Sequence, residues 1–163
     1  MEKKYIQLED NNYTLKLYIK SRDGVETGEF LEFDLADVEL LENLQKLSDE
    51  DRKNNEWFRN QLTIISKKQD FTKKGHIMSN NKEMEYQATK EYFKKQREIY
   101  ELFLGKDGVD KLLCGRKFEW TTMMEIEKII KEQIAPQLEK SKVNIIDSVK
   151  NKYKIDVEKN VLE

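Results

Sequence analysis

Few residues in this chain have the type and spacing to do chemistry. His76 is the one histidine; it has no second imidazole to share a metal and no evident carboxylate to orient it. Cys114 is the one cysteine, which rules out an internal disulfide, and its place after Leu112 and Leu113 makes a buried small hydrophobe the expectation. The acidic stretch at Ser48–Asp51 lacks the spaced oxygen ligands and the glycine of a calcium loop. The other carboxylates alternate with lysines, a pattern of solvated helix faces in which no acid–base couple stands out. A dinucleotide fingerprint, a Walker loop, a GxSxG elbow and an HExxH pair are all missing. The expectation is therefore a protein with no catalytic residues, no metal and no cofactor, acting through its contacts.

The elements that would present such contacts centre on Tyr92–Gly115. Tyr92, Ile99 and Phe103, with Phe93, Tyr100 and Leu104 beside them, make a wide apolar stripe at helical spacing. Gly105 ends that helix cheaply, Asp107-Gly108 has turn chemistry, and Val109, Leu112 and Leu113 form a short apolar face closed by Gly115. Upstream, Tyr13, Leu15, Leu17 and Ile19 alternate with polar residues, as do Leu31, Phe33 and Leu35; two strands joined through Ser21–Gly28 follow. A lone hairpin is marginal in water, so it must lie on helices, and its edges offer an assembly surface.

Asp34 or Asp37 can cap a helix over Ala36–Leu47, striped by Val38, Leu41, Leu44 and Leu47. Ser48 with Asp51 has the form of a capping box opening a second helix, whose apolar face holds Trp57, Phe58, Leu62 and Ile65. Residues Lys67–Asn81 lose periodicity and read as a loop, after which Asn80 or Asn81 caps the long helix. Beyond Gly115, Phe118 and Trp120 should anchor in the core, and Thr122 with Glu125 suggests another capping box. Met123, Ile126, Ile130, Ile134 and Leu138 then hold one stripe, Pro136 should kink it, and Val143, Ile146, Val149 and Tyr153 extend it. That is more apolar surface than a small hairpin covers, so a partner chain is expected.

The fold class is thus α+β, mainly α: an N-terminal hairpin over residues 13–35, four to five helices with a kinked last one, and a single domain over 1–154 followed by a mobile charged tail over 155–163. With 163 residues, about two-thirds of the unfolded surface can be buried. Charged residues at 38% against 37% hydrophobic imply a modest core under a heavily solvated surface. A net charge of −2 exerts no global pull on nucleic acid or anionic membrane. No leader-like or membrane-length apolar run is present, so the expected compartment is the cytoplasm of the cell that makes it.

The order of these parts, and the segments FLGKDGVDKLLCG and IAPQLEK in particular, resembles the tail assembly chaperones of long-tailed phages and of prophage-derived contractile tail particles in low-GC Gram-positive bacteria. Phe103, Gly105, Gly108, Leu112, Gly115, Ala135 and Pro136 carry the resemblance, which covers Tyr92–Lys142 well and the hairpin loosely. It implies a chaperone that coats and solubilises the tape measure protein, hands it to tail-tube protein subunits, self-associates as a homo-oligomer and is absent from the finished particle. It also implies a longer product made by ribosomal frameshift; Glu158-Lys159-Asn160 is compatible with a slippery run. On this reading Phe103, Leu104, Leu112, Leu113, Met123, Ile126, Ile130, Ile134 and Leu138 have core, partner-binding or self-assembly roles. Two other readings use different parts of the chain. Arg52–Lys74 is basic enough for a small helical nucleic-acid-binding regulator, against the overall acidity, and a structural tail or capsid connector would use the same helices.

Overall fold

The computed structural model describes residues 2–7 and 14–153, with the side chains of residues 141–145 and Tyr153 left aside. Tyr13, the charged tail and the Lys159-Asn160 pair lie outside the described residues. The order is two strands, β1 (Thr14–Lys20) and β2 (Glu26–Asp34), then α1 (Glu39–Ser66), α2 (Asn80–Leu104), α3 (Lys106–Leu113), α4 (Trp120–Ile129), a π turn (Ile130–Ile134) and α5 (Ala135–Tyr153). This is the α+β, mainly α arrangement expected, with the hairpin first and a kinked last helix.

The alternation in β1 and β2 decides how the hairpin docks. The antiparallel register puts Leu15 opposite Phe33 and Leu17 opposite Leu31, so one face is apolar along both strands. Ile19, Leu31 and Phe33 are buried in the core, with Leu15, Leu17 and Leu35 packed around them. Tyr18 turns outward against Phe30, whose ring also takes Lys16 and Lys111. The connection is tighter than the sequence suggests. It closes through Ser21 N–H to the Val25 carbonyl at 2.8 Å, and Gly28 belongs to β2, where its positive φ goes with a break in register.

Two helices form the body. Expected as two pieces meeting at Ser48, α1 is one continuous helix of 28 residues. The Ser48/Asp51 pattern is not a cap, because Leu47, Asp51, Asn54 and Phe58 keep helical spacing through it. Asp37 holds the entry instead, its Oδ1 accepting from Glu39 N–H at 3.0 Å. The loop to α2 is organised by Asp70 and Asn81. Asp70 accepts from Asn81 N–H at 3.0 Å, while the Asn81 amide donates to the Ile65 and Lys68 carbonyls at the end of α1. Ser79, not Asn80 or Asn81, is the N-cap of α2, accepting from Lys82 N–H.

Gly105 (φ 82, ψ 156) lies in a region open in practice to glycine alone, and there the chain turns from α2 into α3. Asp107-Gly108 is the first turn of α3, not a β-turn. A methyl on Gly108 would sit 3.1 Å from Leu104 Cβ and 3.2 Å from a Leu31 methyl, so the missing side chain lets α3 press onto β2. Arg97 links Glu101 on α2 to Asp110 on α3, and Lys111 reaches Glu29 and the Phe30 carbonyl.

After Gly115 the helix cap and one of the two expected anchors differ from expectation. Glu119, three residues before the expected position, caps α4: its carboxylate accepts from Thr122 N–H while Thr122 Oγ1 accepts from Glu119 N–H. That earlier start puts Trp120 in the first turn on the solvent side, 58% exposed, whereas Phe118 packs edge-on to Phe93 and Tyr100. Cys114 is exposed rather than buried, because it ends α3 in a left-handed conformation (φ 49, ψ 45) that points it out of the apolar face.

Pro136 explains the π turn. Its ring excludes a regular bond to the carbonyl four residues back, and the turn before it widens, with Ala135 N–H bonding the Ile130 carbonyl. The widening also serves the core. Ile126, Ile130, Ile134 and Leu138 follow one another at steps of four, each over-rotating a regular helix by about 40°. A wider turn takes up that drift, and all four residues stay inside.

Candidate docking groove

The sequence-derived contact residues fall into two groups. Phe103, Leu113, Met123, Ile126, Ile130, Ile134 and Leu138 are buried within the single chain; Leu104 and Leu112 are half-buried and pack against them. The structure brings all nine into one apolar interior. In this conformation they support a surface rather than form one, apart from Ile130, which also reaches a groove wall.

That groove runs between the first half of α1 and the rod of α4, π turn and α5. It has a volume of about 820 Å³ and is open along one side. One wall is the α1 stripe from Val38 through Leu41, Leu44 and Leu47, with Leu35 at its head; the other has Ile130, Ala135 and Ile146. From Val38 to Asp51 the α1 wall is about 20 Å long at the helical rise, enough for about 13 residues of a docked helix. Leu41, Leu44 and Leu47 are only half-buried and Val38 is 73% exposed. Leu41, Leu44 and Leu47 recur at helical spacing, which keeps them on one side of α1.

Polar residues were harder to find in the sequence. Asn54 and Gln96 are buried on the facing sides of α1 and α2; Asn54 Nδ2 donates to Gln96 Oε1 at 2.9 Å and to the Tyr92 carbonyl at 3.1 Å. Gln96 Nε2 donates on to Asp51, a groove residue, and the Tyr92 hydroxyl donates to Asn55. Gln96 sits four residues after Tyr92 and four before Tyr100, so its place on a stripe was the available signal. Tyr100 forms part of the groove floor. It is 1% exposed, and its hydroxyl has no hydrogen-bond partner among the described residues. Burial holds Tyr100 above the ordinary tyrosine range, with Gln96 opposing and Asp51 and Glu127 adding to the rise. Tyr92 shifts the same way, through burial and then the same two carboxylates.

The groove rim is acidic. Among the described residues, Asp37, Glu42, Asp51, Glu127 and Glu139 line it, with Lys131 as the one ammonium, and Lys131 is paired to Glu127 at 2.5 Å. That pairing, at a side chain 70% exposed, raises the Lys131 pKa. Glu42 also lies in the first turn of α1, where a carboxylate is favoured by the helix dipole.

At the far end of the α1–α2 pair, Ile64, Phe71, Ile77, Met78 and Tyr86 are exposed around the connecting loop. His76 lies there against the Glu83 carboxylate, an orienter not evident in the sequence. In the basic segment, Arg52 and Lys53 pair with Glu56 and Glu50 on α1 itself. Among the described residues no cluster of three or more His, Cys, Asp or Glu side chains could hold a metal, and no helix is long and apolar enough to cross a membrane. Comparison of the chain with protein-family models, with curated proteins and with solved structures finds no match.

Proposed function

We propose that this chain is a tail assembly chaperone of the phage type, which holds a tape measure protein in solution until tail-tube subunits enclose it and does not remain in the finished particle. One observation supports this most: an apolar groove about 20 Å long, open to water, in a chain with 38% charged residues. A tape measure is a long amphipathic helix with apolar surface exposed before assembly, and a groove between helices is the complement that helix-in-groove recognition uses. The groove has an acidic rim around its apolar walls, which favours release over permanent burial. The resemblance of FLGKDGVDKLLCG and IAPQLEK to this class supports the same reading, because these segments build the α2–α3 corner and the π-turn rod that forms one groove wall.

Co-expression with the tape measure protein encoded in the same genome tests the proposal. The soluble fraction of the tape measure is expected to rise several-fold, and purified tails are expected to lack the chain. A tape measure equally insoluble with and without it ends the chaperone reading; a stoichiometric band in purified tails replaces it with the connector reading.

A further inference from the structure

We propose that the groove between α1 and α5 is selective for a basic amphipathic helix of another polypeptide, one whose apolar stripe is flanked by Lys or Arg. This rests on the chaperone reading and adds the chemistry of the bound segment. Charge complementarity carries it. The rim presents carboxylates on both edges, Asp37 and Glu42 on the α1 side and Glu139 on the other, while Glu127 and Lys131 pair with each other. A helix carrying acidic flanks would set like charges opposite one another along the groove, and a basic one would pair with both edges. A second copy docked groove to groove by a two-fold axis would bring the acidic rim against itself, which disfavours that occupant.

The test uses the full chain and two synthetic peptides of about 20 residues, helical by design, with one leucine stripe and either Lys or Glu flanks. Fluorescence anisotropy is expected to show the Lys peptide binding at least about tenfold tighter, with the preference collapsing in about 0.5 M salt. The double variant Glu42→Lys, Glu139→Lys alters only exposed residues and is expected to reverse the preference. Leu44→Asp is expected to weaken both peptides about tenfold. Equal binding of the two peptides, or a Lys preference that survives the charge reversal, overturns the proposal. So does a peptide of residues 154–163 that displaces the Lys peptide, or a dimer of the chain that Leu44→Asp dissolves, since each gives the groove a different occupant. Co-expression separates the two levels. A tape measure solubilised by a chain that shows no peptide preference sinks this inference alone; a strong Lys preference beside an unsolubilised tape measure sinks the chaperone reading alone.

Discussion

Along α4, the π turn and α5, Met123, Ile126, Ile130, Ile134 and Leu138 are each no more than 3% exposed, whereas Leu41, Leu44 and Leu47 on α1 are only partly buried. Both stripes have the helical spacing and aliphatic character of a core face, and periodicity alone ranks them equally. What separates them is supply. The first stripe lies in one buried cluster with Ile19, Leu31, Phe33, Tyr92, Tyr100, Phe103, Val109 and Leu113. The first half of α1 faces Glu127, Ile130, Ala135 and Ile146 of the rod across a groove that stays open. A stripe in sequence therefore reports a wish for cover, and the topology decides whether that cover comes from within.

The sharpest way to break this contrast is to cut into each stripe and compare losses. Ile134→Ala should cost about 2–5 kcal/mol in denaturant unfolding, as a fully enclosed side chain does. Leu44→Ala, already wetted, should cost less than about 1.5 kcal/mol. Equal losses would mean that the α1 stripe is covered after all. Between them in size lies Gly105→Ala, expected to cost about 1–3 kcal/mol, because φ 82 with ψ 156 is strained for any side chain and the corner that seats α3 on β2 depends on it. Smaller again is Trp120→Ala, which should shift stability by less than about 0.5 kcal/mol for a residue 58% exposed.

A pH titration probes the end of the molecule away from the groove. The backbone N–H of Asn81 lowers the Asp70 pKa first, with the Ser79 side chain next. A depressed carboxyl contributes order above its unfolded value of 3.8 and loses it as pH falls through the lower folded value. The Asn81 amide should therefore stay protected from hydrogen exchange above pH 3.8 and open below it, while the Met123–Leu138 stripe holds to lower pH. Opening of the Asn81 amide that precedes the fall toward pH 3.8 would show that the loop is held by something other than Asp70.

Much of this arrangement is legible in the residues, and the gaps have physical causes. The hairpin follows from the alternation of Leu15, Leu17 and Ile19 with Leu31 and Phe33, and the kink from Pro136. The false break at Ser48 arose because Asp51 and Asn54 occupy core-facing positions of α1, where polarity mimics a helix end. Only the partner across the interface, Gln96, makes sense of them. Cys114 and Trp120 were misplaced for a related reason. Apolar neighbours suggested burial, but a left-handed residue in one case and an earlier cap in the other rotated the side chain outward. The groove itself has no signature in sequence, since it is a gap between helices that lie about 90 residues apart along the chain.

Thiol reactivity tests the central contrast most directly. In a Cys114→Ser background, Leu44→Cys and Ile134→Cys are exposed to a maleimide at low protein concentration, and the labelling rates are compared with that of an unstructured thiol. The account expects Leu44→Cys to react within about tenfold of the free thiol and Ile134→Cys to be slower on the order of a thousandfold, limited by opening of the fold. Comparable protection at both positions would contradict it, because the α1 stripe would then already be closed and no groove would stand open to a partner helix.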